Sequence, residues 1–268
     1  MCQNFREIAG VSENYSKFNR EERNRAAIFY HLLLKKGNIN KFLRFIDCED
    51  KIKCEEFGIY FEYAYLRDLW HGLKRDDRKK KIELNLVNEK KIEIIKKFLP
   101  HDIFQTDWRY ENVEEFNNYF VFRPSKQHIQ NPGRWNISRL NKNIKNNDEF
   151  EAVCKFKWAF NIKPDIVIHT SLESAVCIEA KLESDESTYP KNKKETEIFD
   201  ERGLDRIKQT DMQKYLMKKL LGIKTSFVLL VKENVKPPPD YIVKTWTDLF
   251  AKLDTNDSLP FMKDMMEN

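Results

Sequence analysis

Hydrophobic and polar positions are patterned most clearly between residues 163 and 181, KPDIVIHTSLESAVCIEAK. Two apolar runs, Ile166 to His169 and Ala175 to Lys181, flank the polar segment Thr170 to Ser174, which is the spacing of two strands joined by a loop. A hairpin symmetric about Leu172 sets Asp165 opposite Glu179. Opposed antiparallel residues point to one side of a sheet, so Asp165, Glu179 and Lys181 share a face with Val167, His169 and Cys177. The other face, Ile166, Ile168, Val176, Ile178 and Ala180, is uniformly apolar. A slip of one residue would bury charge, so the core fixes the register.

Around this hairpin the pattern predicts further elements. Residues 19–36 read as a helix stopped by Gly37, with Glu22, Ala26, Phe29 and Leu33 on one stripe. Asn19 and Glu22 have the spacing of a capping box, and an acidic first turn suits the helix dipole. Residues 54–74 are apolar over most of a helical circumference and predict a buried helix, residues 90–99 a shorter one ended by Pro100, and the charge run 74–81 a solvated loop between them. Cys154, Phe156, Trp158 and Phe160 alternate with Val153, Lys155, Lys157 and Ala159, which predicts a strand over 153–160. The polar stretch 182–203 reads as a mobile loop. Residues 204–221 predict a helix ended by Gly222, residues 225–231 a strand buried on both faces, and 245–253 a closing helix after the turn KENVKPPPD.

Residues 123–147 differ in composition, with six Lys or Arg, no Asp or Glu, and several Asn and Pro, and they predict a loop or loosely ordered arm. Arg123, Lys126, Arg134, Arg139 and Lys142 could follow a phosphate backbone, and Trp135 could stack a base. A solvated basic loop with the Trp tucked into the core fits the same residues.

Over the whole chain, 268 residues with 41% hydrophobic and 34% charged content are long enough for one large domain or a core with an insertion. A mean hydropathy of -0.70 and the absence of a membrane-length apolar stretch lead to the expectation of a soluble protein without a membrane. The N-terminal sequence is too polar for a signal peptide. The five cysteines include no C-x-x-C pair, so reduced thiols and a cytoplasmic location are expected. A net charge of +5 suits a polyanionic partner only weakly.

Two carboxylates on neighbouring strands repel each other unless a cation lies between them, and oxygen ligands suit Mg2+ or Mn2+. A lysine two residues beyond the second carboxylate can hold a water or a phosphate oxygen, a layout suited to metal-assisted attack on a phosphodiester. Pro164-Asp165 followed by Glu179-Ala180-Lys181 on the next strand resembles the signature of the PD-(D/E)XK nuclease superfamily. The resemblance covers about 153–253 and the first helix and says little about 40–150.

The resemblance implies a restriction-endonuclease-like α/β fold, a mixed central sheet flanked by helices. The chain would divide into a first core-helix region at 1–39, a mainly helical insertion and basic loop at 40–150, and the nuclease core at 151–268. By the same resemblance Asp165, Glu179 and the Ala180 carbonyl would hold the metal, with Glu22 from an early helix as a further ligand and Glu21 behind it. Glu149 and Glu151 are alternatives for that extra acid, and Glu183 is in phase with Glu179 and Lys181. Gln209 and Gln213 resemble the glutamine of the Q-x-x-x-Y feature of RecB-like nucleases. The spacing departs from it, because Tyr215 lies two residues after Gln213 and six after Gln209. The expected function is Mg2+-dependent cleavage of nucleic acid, DNA before RNA, in restriction, antiviral defence or repair, with a homodimer as the expected assembly. The alternatives are a catalytically silent nucleic-acid-binding subunit of the same fold and an RNA-cleaving effector.

Overall fold

The computed structural model describes residues 21–48, 52–53, 55–80, 84–100, 112–182, 186–233 and 235–267. They form an α/β structure of two compact units. One consists of Met1–Glu62, Pro164–Asp185 and Lys224–Asn268, the other of Tyr63–Lys163 and Glu186–Ile223. The unit boundaries do not coincide with the expected ones at 39 and 150: residues 58–61 belong to the main sheet, and residues 151–163 and 186–223 belong to the other unit.

In chain order the first unit opens with α1 (Glu22–Leu33) and α2 (Asn38–Phe45), then β1 (Gly58–Phe61). The second unit begins with α3 (Tyr65–Lys80), α4 (Leu84–Phe98), α5 (Val113–Phe120), α6 (Ile137–Asn143) and α7 (Asn147–Ala159). The chain returns to the first unit for β2 (Ile166–His169) and β3 (Ser174–Ala180). It leaves again for β4 (Thr188–Tyr189), α8 (Lys193–Glu201), β5 (Ile207–Lys208) and α9 (Gln209–Lys214), which runs into a π-helix at Tyr215–Leu220. The first unit closes with β6 (Lys224–Val231), β7 (Tyr241–Thr245), α10 (Trp246–Lys252) and α11 (Pro260–Glu267).

The main sheet is mixed, five-stranded and ordered β1-β2-β3-β6-β7. β1, β2 and β3 pair antiparallel, whereas β3–β6 and β6–β7 are parallel. The hairpin has the expected register, with Ile166 opposite Ile178 and Ile168 opposite Val176. Its apolar face packs with Val228 and Leu230 of β6 against Ala26, Phe29 and Leu33 of α1, Phe42 of α2, and Trp246 and Leu249 of α10. The continuous apolar run of β6 is buried from Phe227 to Val231, as a central parallel strand requires.

Several expectations are corrected. Residues 153–160 are helical, not a strand. Asn146 caps α7 by accepting from the amides of Asp148 and Glu149, and Phe150, Val153, Cys154, Phe156, Trp158 and Ala159 are all buried. A helix buried around most of its circumference imitates alternation. Within 54–74, Gly58–Phe61 is a short edge strand, and helix begins only at Tyr65. That helix runs on through the expected loop to Lys80, since the charge run contains no Gly or Pro to stop it.

The expected mobile loop 182–203 contains β4 and α8, which are anchored because Phe199 packs its ring against Phe150 and Trp158. Helix in 204–221 starts only at Gln209, after β5, and Gly222 ends it with φ +68°. Gly37 (φ +87°) stands at the N-cap of α2 rather than directly after α1. The 123–147 arm is ordered by a 3-10 turn at Pro132–Arg134 and by α6.

Candidate active site

The residues of the site all belong to the first unit and gather at the end of the β2–β3 hairpin. Asp165 stands one residue before β2, where the register sets it opposite Glu179, and its carboxylate accepts a 2.8 Å hydrogen bond from the next amide, that of Ala180. The Asp165 carbonyl accepts in turn from the Glu62 amide at 2.8 Å, just beyond β1. Lys181 follows Ala180, and its backbone is held on both sides. Its amide donates to the Leu230 carbonyl at 2.7 Å, and its carbonyl accepts from the buried Trp246 indole at 2.9 Å.

Three side chains meet at Lys181. Its ammonium is 2.9 Å from Glu179 Oε1 and 3.7 Å from Glu22 Oε2. Glu22 lies on the same stripe of α1 as the buried Ala26, Phe29 and Leu33, so docking of that stripe on the sheet carries its carboxylate to the hairpin. There its other oxygen accepts from the Leu182 amide at 3.1 Å. Glu179 is buried, at 2% exposure, and so is Cys177 on the same strand face.

The electrostatics follow from burial among charges. Desolvation raises the Asp165 carboxyl above its ordinary value; the Ala180 amide, Lys181 and Arg23 oppose this rise, while Glu22 adds to it. Burial alone would lower the Lys181 ammonium, but Glu179, Glu22 and Asp165 together outweigh it and the net shift is upward. The Cys177 thiol is pushed well up by burial and by Glu179 and Asp165. Lys181 is therefore a cation at neutral pH, a hydrogen-bond donor rather than a base.

Two participants were not singled out from sequence. Arg23 acts on Asp165 and pairs with Glu62 at 3.2 Å, and Glu62 adopts a left-handed backbone at φ +51°. The available signal was the position of Arg23, next to Glu22 on α1.

The other sequence candidates belong mostly to the second unit. Gln209 and Gln213 are on α9 of the second unit, Gln213 fully buried. Burial pushes the nearby Tyr215 phenol up to about 12. Arg123, Lys126, Arg134 and Lys142 are exposed on the second unit, and Arg139 donates to the carbonyl and side chain of Asn118. Trp135 is buried, with its ring stacked 4.0 Å from that of Phe120, so it packs as a core residue. Glu149 and Glu151 belong to α7, where Glu151 pairs with Lys155 at 2.7 Å. Glu21 is exposed ahead of α1, and Glu183 lies outside the described residues.

Among the described residues no three His, Cys, Asp or Glu side chains are arranged as a metal cage. Two of the three carboxylates, Glu179 and Glu22, are turned onto the Lys181 ammonium. The donor chemistry nevertheless fits a hard divalent cation. Asp165, Glu179 and Glu22 offer only oxygen, the Ala180 carbonyl belongs to the residue whose amide faces Asp165, and Asp165 is a desolvated carboxyl that a nearby cation would stabilise as the anion. Also among the described residues, no helix is long and apolar enough to cross a membrane, and Cys48, Cys154 and Cys177 are free thiols.

Comparison with protein-family models, curated proteins and solved structures finds no match to this chain.

Proposed function

We propose that the chain is a divalent-metal-dependent nuclease of the PD-(D/E)XK type. The observation that carries this reading is the meeting of Asp165, Glu179, Lys181 and Glu22, from two strands and a helix, at one end of the hairpin. Asp165, Glu179 and the Ala180 carbonyl, with Glu22, would hold Mg2+ or Mn2+. The ion would supply positive charge to offset the charge that develops on a phosphate during hydrolysis.

The chain's own residues supply position and protonation. The Ala180 amide fixes the Asp165 carboxylate, Glu179 and Glu22 fix the Lys181 ammonium, and that ammonium donates to a water or a phosphate oxygen. DNA is the preferred substrate and RNA the alternative, on family resemblance. A role in restriction, antiviral defence or repair, and a homodimer with one site per strand, follow from the same resemblance.

The ion pairs that occupy Glu179 and Glu22 also fit a second reading, a binding subunit that has kept the fold without cleaving. Incubation of supercoiled plasmid, single-stranded DNA and RNA with Mg2+, Mn2+ or EDTA tests the proposal, using the native chain, Asp165→Ala and Lys181→Ala. Metal-dependent cutting that both substitutions abolish supports the nuclease. Nucleic-acid binding without cutting in any metal supports the silent subunit.

A further inference from the structure

A second charged feature lies in the other unit. A cavity of about 470 Å3 is lined by Ser187, Thr188, Lys191, Lys193, Thr196 and Arg206, with Pro190. Three basic and three hydroxyl-bearing residues line one space, and no carboxylate is among the lining residues. The fold holds these groups in place. Antiparallel pairing of Thr188 with Lys208 and of Tyr189 with Ile207 carries on to set Arg206, just before β5, across from Pro190. Asn192 caps α8 by accepting from the Lys194 amide at 2.9 Å, and the Thr196 amide donates to the Asn192 carbonyl at 2.9 Å, which places Lys193 and Thr196 in the first turn.

Two neighbouring acids, Glu186 and Glu195, are engaged by other groups. Glu186 accepts from the Thr210 amide at 2.9 Å, and Glu195 lies 3.7 Å from Lys157. Asp200 reaches Arg206 only at 4.0 Å, between exposed side chains, and so neutralises it weakly. A concave site with converging cations, hydroxyl donors and the positive end of a helix has the chemistry of a phosphate receptor.

We propose that this cavity binds a phosphate group. Arg206 presents a planar fork to two phosphate oxygens, Lys191 and Lys193 act as point charges, and Ser187, Thr188 and Thr196 donate hydroxyl hydrogen bonds. The phosphate comes either from a nucleic-acid backbone or from a free phosphate or mononucleotide. The inference goes beyond the nuclease reading and stands without it, because binding is read in EDTA, where metal-dependent cleavage does not proceed.

The test titrates the full chain in EDTA with inorganic phosphate by calorimetry and with labelled 5′-hydroxyl single-stranded DNA by fluorescence anisotropy at several salt concentrations. The native chain is compared with Lys191→Gln/Arg206→Gln, with Lys193→Gln alone and with Lys252→Gln, an exposed lysine of α10 that is not among the lining residues. These are surface side chains, and circular dichroism verifies the fold. Affinity is expected to fall about tenfold or more in the double variant and by less in Lys193→Gln, and to be unchanged in Lys252→Gln. Loss confined to DNA, with a shallower salt dependence, identifies a backbone phosphate. Loss confined to inorganic phosphate identifies a free phosphate. Failure of the native chain to bind either probe, or equal binding by native and double-variant chains, overturns the inference.

Discussion

The Asp165 carboxylate accepts a hydrogen bond from the Ala180 amide at 2.8 Å. Ala180 lies between Glu179 and Lys181, so this bond ties one carboxylate to the strand that carries the other and the ammonium. Residue 165 thus depends on the hairpin register, and the register depends on the apolar face of the same two strands. Packing on one side of the sheet fixes chemistry on the other.

Burial raises the Asp165 carboxyl, the Ala180 amide lowers it in part, and the net shift is upward. The folded chain therefore holds this proton more tightly than the unfolded chain. The contribution favours folding below the ordinary carboxylate value and is lost as pH rises through the folded one. Asp165→Asn retains an acceptor for the Ala180 amide and removes the charge. In EDTA it is expected to unfold at a higher temperature than the native chain at pH 7, with the difference closing toward about pH 4. Thermal unfolding across this range checks it, and a variant less stable than native at pH 7 would contradict the stated cause.

Lys181 is mostly buried beside Glu179, with side-chain exposures of 15% and 3%. Removing the ammonium deprives a buried carboxylate of its cation. Lys181→Met should lose about 2–3 kcal/mol in urea unfolding, and Glu179→Gln/Lys181→Met should recover a large part of that loss. If the double variant is no more stable than the single, the pair is not the stabilising link.

Glu22 offers one oxygen to the Leu182 amide and the other to Lys181. Glu22→Gln keeps an acceptor for the amide, so its stability should stay within about 0.5 kcal/mol of native, whereas Glu22→Ala should lose about 1 kcal/mol. Cleavage by Glu22→Gln is expected to fall and to recover in part as metal concentration rises. Glu21→Gln should change neither property. Metal titration of the initial rate distinguishes a ligand from a helix cap.

Trp135 is 3% exposed and stacks on Phe120. Trp135→Ala should destabilise the chain by about 3–5 kcal/mol. A Trp135→Ala chain of native stability with weakened nucleic-acid binding would favour base stacking, the other of the two roles that the sequence allows.

The hairpin and β6 were legible because their patterns answer to one cause each. Alternation reports two unlike faces, and a continuous apolar run reports burial on both. The placement of Glu22 was legible for the same reason, since the stripe through Ala26 and Phe29 has only one face to dock. The segment 153–160 misled because α7 is buried around most of its circumference and its polar stripe, which includes Glu151 and Lys155, lies mostly ahead of that segment, while the cap at Asn146 lay inside a run that read as loop. β1 is only four residues long and sits in an aromatic stretch, so neither its length nor its composition sets it apart. Trp135 carried two equal readings because charge composition describes the neighbours of a residue and not the direction of its side chain. Arg23 and Glu62 come near Asp165 only through folding across the chain, which no local pattern records.

The central claim is that the cluster around Asp165 cleaves nucleic acid, and the most direct measurement is the rate of Mn2+-dependent cleavage by Asp165→Asn against the native chain. The variant retains an acceptor for the Ala180 amide, and circular dichroism of both proteins checks the fold. The account predicts cutting by the native chain that EDTA stops, and a rate at least about a hundredfold lower in the variant. Cleavage by Asp165→Asn within about twofold of native, or metal-dependent cutting by a chain lacking both Asp165 and Lys181, would contradict it.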